Sequence, residues 1–229
     1  MAAGFLIKIC GLSTADTMTA ALDAGADMVG LVFHRKSPRS VSLEVAAALA
    51  GQARGRARIV ALTVDPSDEG LAAIMARVNP DVIQLHGMET PERCAEIEDR
   101  TARVSLKAIG ISDAADIERV RLYHERGRTV LLDAKPPRGA AYPGGHGNTF
   151  DWSILDRMPD DIPFLLSGGL TQANVSDAIH TADRFCLAFA GVDVSSGVES
   201  ALGVKDSGKI RAFVETTRAA RAASWEAIT

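Results

Sequence analysis

From end to end the chain alternates short apolar runs with stretches of helical periodicity, and that alternation leaves few folds open. The apolar runs are Phe5 to Cys10, Met28 to Phe33, Ile59 to Val64, Val82 to Leu85, Val104 to Ile109, Thr129 to Asp133, Phe164 to Leu166 and Phe185 to Val194, giving eight candidate strands. Val, Ile and Leu dominate them without strict alternation, as expected of parallel strands buried on both faces. Amphipathic segments such as Ser13 to Ala24 and Ser42 to Ala50 lie between them, the first opened by a Ser/Thr cap signal. Two joints share one plan: Ala24-Gly25-Ala26-Asp27 before Met28 and Val78-Asn79-Pro80-Asp81 before Val82 each break a helix and start a strand after Asp. Their likeness reads as structural punctuation.

Two glycine-bearing loops near the C-terminus choose between the architectures that remain. Ser167-Gly168-Gly169-Leu170 and Asp193-Val194-Ser195-Ser196-Gly197-Val198-Glu199 lie at the ends of the last two apolar runs. Glycine lets backbone N–H groups approach an anion, and a helix beginning just beyond adds its positive dipole end. A Ser-Gly-Gly alone is an ordinary turn. Two such loops on consecutive strand ends match the place where (β/α)₈ barrels bind phosphate. An open doubly wound sheet would carry its glycine fingerprint after the first strand, where this chain has Cys10-Gly11-Leu12-Ser13. The expected fold is therefore a (β/α)₈ TIM barrel with a phosphate site, a single domain over residues 1–229.

Composition narrows the partners. With 25 Lys and Arg against 29 Asp and Glu, the chain has no basic field for nucleic acid or an anionic membrane, so an anion must be held by local groups. The expected ligand is a small molecule, with neither nucleic acid nor membrane as partner. Phe5 to Cys10 follows the start with no long apolar leader region, and no run is long enough to span a bilayer, so a cytoplasmic location is expected. Three cysteines without ligand spacing support neither a disulfide framework nor a metal site.

In a barrel, the C-terminal ends of strands point into one mouth, so polar groups ending apolar runs are the candidates. Cys10, His86, Asp133 and Asp193 meet that test. Taken alone, a cysteine after an apolar run is most often a small buried hydrophobe, and His86 fits a satisfied core histidine as well as a substrate contact. Asp133 is costly to bury unpaired, which argues for a mouth-facing role. Cys94 and Cys186 read as packing, and His124 and His180, late in helices, as structural. Ala134 to Thr149, rich in Pro and Gly, has the length of a lid, and His34 to Ser40 is the concentrated cationic loop at a strand end.

The chain resembles the phosphoribosylanthranilate isomerase family through Lys8-Ile9-Cys10-Gly11, Gly25-Ala26-Asp27, Phe33 to Arg39, Gln84-Leu85-His86-Gly87, Leu132-Asp133, Phe150-Asp151-Trp152, Ser167 to Leu170 and Val192 to Glu199. The resemblance implies a barrel of the ribulose-phosphate-binding type and an Amadori rearrangement of N-(5-phospho-β-D-ribosyl)anthranilate to 1-(2-carboxyphenylamino)-1-deoxyribulose 5-phosphate in tryptophan biosynthesis, with no metal or organic cofactor. It implies Asp133 as general acid and Cys10, as thiolate, as general base. It places Arg39 on the anthranilate carboxylate, the phosphate on the backbone of Gly168, Gly169, Ser196 and Gly197, and Asp193 near the ribose or the anthranilate nitrogen, while His86 is expected as a substrate contact from its place at a strand end. Monomer and homodimer both stay open. The chain departs from the family pattern where Ala134 follows Asp133, at Leu62-Thr63, and at His146 and Asn148 in the lid.

Two corollaries follow. Lys8 lies two residues from Cys10 on one strand, on the same side, where an ammonium would favour the thiolate. Proton donation by Asp133 near neutral pH asks for a raised pKa, which closure of a lid over a dry pocket would supply. The alternatives are a histidine-pathway phosphoribosyl isomerase, whose family carries an aspartate in place of the first-strand cysteine, and a sugar-phosphate-binding barrel without catalysis.

Overall fold

The computed structural model describes residues 4–124, 128–137, 139–140 and 142–228. Strands β1 (Leu6–Cys10), β2 (Met28–Val32), β3 (Arg58–Thr63), β4 (Val82–Leu85), β5 (Val104–Ile111), β6 (Val130–Ala134), β7 (Phe164–Leu166) and β8 (Phe189–Val194) pair in chain order. β8 returns parallel to β1, with Lys8 opposite Asp193, and closes the barrel. Around it run α1 (Ala15–Asp23), α2 (Leu43–Ala53), α3 (Asp68–Arg77), α4 (Pro91–Thr101), α5 (Ala114–Tyr123), α6 (Val175–Phe185) and α7 (Ser207–Ile228). A 3₁₀ turn, Trp152–Arg157, stands between β6 and β7, and a small hairpin, β9 (Glu199–Ala201) with β10 (Val204–Lys205), follows β8.

Local chemistry starts the helices where they start. Thr14, Ser42, Ser67 and Thr90 each accept the backbone N–H three residues on, and Asp113 forms a reciprocal capping box with Asp116. Each such cap is worth about 1 kcal/mol. The helices cover the outward faces of the strands, where Ile7, Ile9, Val29, Leu31, Ile59 and Ile83 join Met18, Leu49, Leu71 and Ile97 in one core. Inside the barrel, Met28, Val60, Val82, Leu106, Leu131 and Leu165 form a second cluster, and Cys10, Val32 and Leu62 a third. Burial on both faces is why the strands do not alternate in polarity.

The two matching joints do the same job. Asp27 Oδ2 accepts the Ile7 amide at 2.8 Å, and Asp81 Oδ2 accepts the Ile59 amide at 2.7 Å, each tying a strand's start to its neighbour.

Some expectations need correction. The eighth strand begins at Phe189, because residues 175–185 bury Val175, Ala178, Ile179 and Ala182 at helical spacing and stay helical through Phe185. His180 is exposed in the middle of α6, away from its C-terminal turn, whereas His124 caps the end of α5 with Nδ1 3.0 Å from the Arg128 carbonyl. The glycine loops do not open onto helix N-termini: α6 starts at Val175, and the second loop leads only into a three-residue 3₁₀ turn, Ser196–Val198. Cys94 and Cys186 are buried, and loss of hydration pushes their thiols up to about 11 and about 12. Among the described residues no helix is long and apolar enough to cross a membrane.

Candidate active site

At the C-terminal end of the barrel one cleft gathers Cys10, Arg39, His86, Asp133, Gly168, Gly169, Asp193 and Ser196. The ends of five strands and one loop thus bring together all but one of the residues singled out from sequence. The exception is Gly197, which does not line the cleft; any Cβ there would run into the Leu170 carbonyl.

Cys10 and Asp133 end β1 and β6, so they approach the mouth from different sides. Gly30, beside Cys10 in the ladder, leaves room for the thiol: a Cβ there would lie 2.8 Å from Sγ. Burial pushes the Cys10 thiol up, and the Lys8 ammonium pulls it back only in part. The expectation that Lys8 favours the thiolate has the right sign, but desolvation is the larger effect. Lys8 is itself fully buried, with Nζ 2.6 Å from Asp193 Oδ1. Burial pulls its pKa down, yet Asp193 and Cys10 more than offset this, so it stays charged. Ser167 donates its hydroxyl to the other Asp193 oxygen at 3.1 Å.

Asp133 Oδ1 accepts the Ala134 amide at 2.9 Å, and Oδ2 lies 3.2 Å from His86 Nε2. Above this pair lies the segment after β6. A Cβ on Gly144 would stand 2.7 Å from both Asp133 Oδ2 and His86 Nε2, and only glycine fits that close. Tyr142 and His146 stack at 4.6 Å between ring centres, and Gly147 and Asn148 press their carbonyls onto Gly169. The predicted lid thus covers the mouth; its residues 138 and 141 lie outside the described residues.

Arg39 is the clearest departure from expectation. Its Nε and Nη2 form a fork on Glu199 at 2.6 and 3.0 Å, and Nη2 also donates to the Gly145 carbonyl of the lid at 3.0 Å. Only Nη1 keeps no partner among the described residues, so a two-pronged grip on a carboxylate would require Glu199 to yield. Lys205 completes the cluster, donating to Glu199 Oε1 at 2.8 Å and to the carbonyl and hydroxyl of Ser195 at 2.7 and 3.1 Å. Burial raises the Glu199 carboxyl, but Arg39 and Lys205 outweigh it and hold it below the ordinary range. The amide hydrogens of Gly168, Gly169, Ser196 and Gly197 enter none of the hydrogen bonds among the described residues.

Sequence reasoning missed Gln84, Ser167, Glu199 and Lys205 as site residues. Gln84 and Ser167 were findable, since Gln84 stands two residues before His86 on one strand face and Ser167 opens the first glycine loop. Lys205 gave no signal, and Glu199, though it closes the second glycine loop, gave none of its pairing with Arg39, because a hairpin after the last strand brings both there.

Comparison with known proteins agrees along nearly the whole chain. A family model described as N-(5'-phosphoribosyl)anthranilate (PRA) isomerase matches residues 7–216. The N-(5'-phosphoribosyl)anthranilate isomerase of Nitrobacter winogradskyi is 49% identical over 222 residues, covering 97% of this chain and 96% of that one. That of Rhodopseudomonas palustris is 52% identical over 213 residues, covering 93% and 95%. Among solved structures, phosphoribosyl anthranilate isomerase from Thermotoga maritima superposes with a TM-score of 0.80 at 35% identity, covering 94% of this chain and 99% of that one. A phosphoribosyl anthranilate isomerase in complex with reduced 1-(o-carboxyphenylamino)-1-deoxyribulose 5-phosphate superposes with a TM-score of 0.77 at 32% identity, over the same shares.

Proposed function

The chain belongs to the N-(5'-phosphoribosyl)anthranilate isomerase family, an isomerase of tryptophan biosynthesis, and from that premise we propose that Asp133 and Cys10 perform its Amadori rearrangement as general acid and general base. Asp133 gives a proton to the furanose ring oxygen; the ring C–O bond breaks and the anilinic nitrogen's lone pair forms the C1 iminium. Cys10 thiolate then takes the C2 proton, and the C–H electron pair moves in to neutralise the iminium. The enol-enamine so formed becomes the ketone as C1 gains a proton and the C2 hydroxyl gives one up. No proton is gained or lost overall.

The observation that carries this reading is the placing of Cys10 and Asp133 at the ends of β1 and β6, on one cleft and under one lid. The positive iminium suits a buried thiolate, because it supplies the charge that Lys8 alone does not. The free amides after β7 and β8 support assignment of the phosphate to Gly168, Gly169 and Ser196, which line the cleft, whereas Gly197 does not. Asp193 reaches the ligand only from a carboxylate already bound to Lys8 and Ser167. Arg39 Nη1 is the cation available to the anthranilate carboxylate.

Turnover followed as loss of anthranilate fluorescence tests the assignment. Asp133→Asn and Cys10→Ser each lower it by about 10² to 10⁴, the scale of a lost general acid or base. Near-normal turnover in either would remove that residue from its role.

A further inference from the structure

Gln84, on β4, is fully buried and lines the cleft, yet neither the fold nor the proposed chemistry uses it directly. Its Nε2 lies 3.0 Å from His86 Nδ1, while its Oε1 is buried with no hydrogen-bond partner. As it stands the amide leaves its oxygen and one N–H unpaired; turned over, Oε1 would meet Nδ1 and both N–H donors would be left without a partner. An unpaired carbonyl is the more tolerable of the two. The amide therefore donates, Nδ1 accepts, and the imidazole proton sits on Nε2, facing Asp133 Oδ2 at 3.2 Å.

We propose that Gln84 is a positioning residue for the isomerisation: by donating to Nδ1 it holds His86 as the neutral Nε2–H tautomer and so keeps the transferable proton on Asp133. The proposal rests on the assignment of Asp133 as the acid. Protonating Nδ1 would set an imidazole N–H against an amide N–H, so Gln84 opposes the imidazolium directly. Charged and titratable groups stand on several sides of the ring. Asp133 faces the ring from β6, and Asp65, beyond β3, bonds the Met88 amide and crowds Gly87. Lys107 on β5 is matched by Glu89 at 2.8 Å. His34 and Tyr142 line the same cleft. Of these groups, Asp133 is the one that meets the ring. An imidazolium there would hold Asp133 ionised and remove the acid.

The test reads the ring directly. In ¹⁵N-labelled wild-type protein, with His86 assigned by comparison with His86→Asn, the spectrum between pH 6 and 8 shows the neutral Nε2–H tautomer. Gln84→Glu puts an acceptor at Nδ1: His86 becomes imidazolium over the same range, and kcat near neutrality falls about tenfold or more with KM changed less. Gln84→Met, similar in size with no donor, shows both tautomers and a smaller loss. A wild-type ring that is Nδ1–H or doubly protonated at pH 7 would overturn the proposal, as would a Glu variant that keeps wild-type kcat with its imidazole charged. If Gln84→Glu fails to fold, the wild-type and Gln84→Met spectra decide. The tautomer is read without turnover, so failure of the Asp133 assignment itself would show separately, as turnover surviving in Asp133→Asn.

Discussion

Replacing Lys8 by Met removes a charge from the interior of the barrel and leaves Asp193 behind. The two are 2.6 Å apart with side chains 0% and 5% exposed. At an effective dielectric of about 20 their attraction is about 6 kcal/mol, and taking each ion out of water costs several kcal/mol, so the intact pair contributes little net. The single substitution is a different matter, because the Asp193 carboxylate then stays buried with Ser167 as its one remaining hydrogen-bond partner among the described residues. Breaking one side of such a pair costs about 3–5 kcal/mol. For 229 residues the unfolding entropy makes 1 kcal/mol equal to about 2 °C, which sets the expected drop in Tm at about 6–10 °C. Lys8→Met/Asp193→Leu removes both charges and recovers most of that loss. Calorimetry on the wild type, both single variants and the double variant gives the full cycle. Additive effects, or a Lys8→Met Tm within about 2 °C of wild type, would mean that the pair does not act as a buried unit.

Further consequences follow from the same geometry. Ala102 ends α4 in the left-handed region at φ 51°, so Ala102→Gly raises stability by about 0.5–1 kcal/mol in urea melts. Burial raises the Glu199 and Glu98 carboxyls, but their bonds to Arg39 and Arg128 hold both below the ordinary range. Their contribution is therefore complete above the unfolded value and disappears as pH falls through the lower folded one, so Tm declines on acidification below the ordinary glutamate range, and Glu199→Gln flattens that decline. Arg39→Ala raises KM more for the natural substrate than for an analogue lacking the anthranilate carboxylate; equal effects would leave Arg39 only its bonds to Glu199 and the lid. Gly169→Ala places a Cβ 2.6 Å from the Asn148 carbonyl at φ 61°, so it lifts the lid and weakens inorganic phosphate as a competitive inhibitor.

What was legible in the chain is what depends on periodicity. The strands announce themselves because both faces are buried, and the Asp27 and Asp81 joints repeat because each caps the preceding strand. The mouth was legible for a related reason, since a polar residue ending an apolar run has nowhere else to point. Competition between nearby groups was not legible. Lys8 sits where sequence spacing puts it, but only the barrel shows Asp193 holding it and burial outweighing its pull on Cys10. Arg39 was found as a cation at a strand end, yet its fork is committed to Glu199, which a hairpin delivers from 160 residues away. The start of β8 was misplaced because Phe185 serves an apolar helix face as well as it would a strand.

The acid and base roles separate most directly with substrate carrying deuterium at ribose C2. If Asp133 opens the ring and Cys10 then removes the C2 hydrogen, Cys10→Ser makes C–H cleavage rate-limiting and shows a several-fold primary isotope effect on kcat. Asp133→Asn makes ring opening limiting and shows almost none. A large isotope effect in Asp133→Asn together with none in Cys10→Ser would contradict the account.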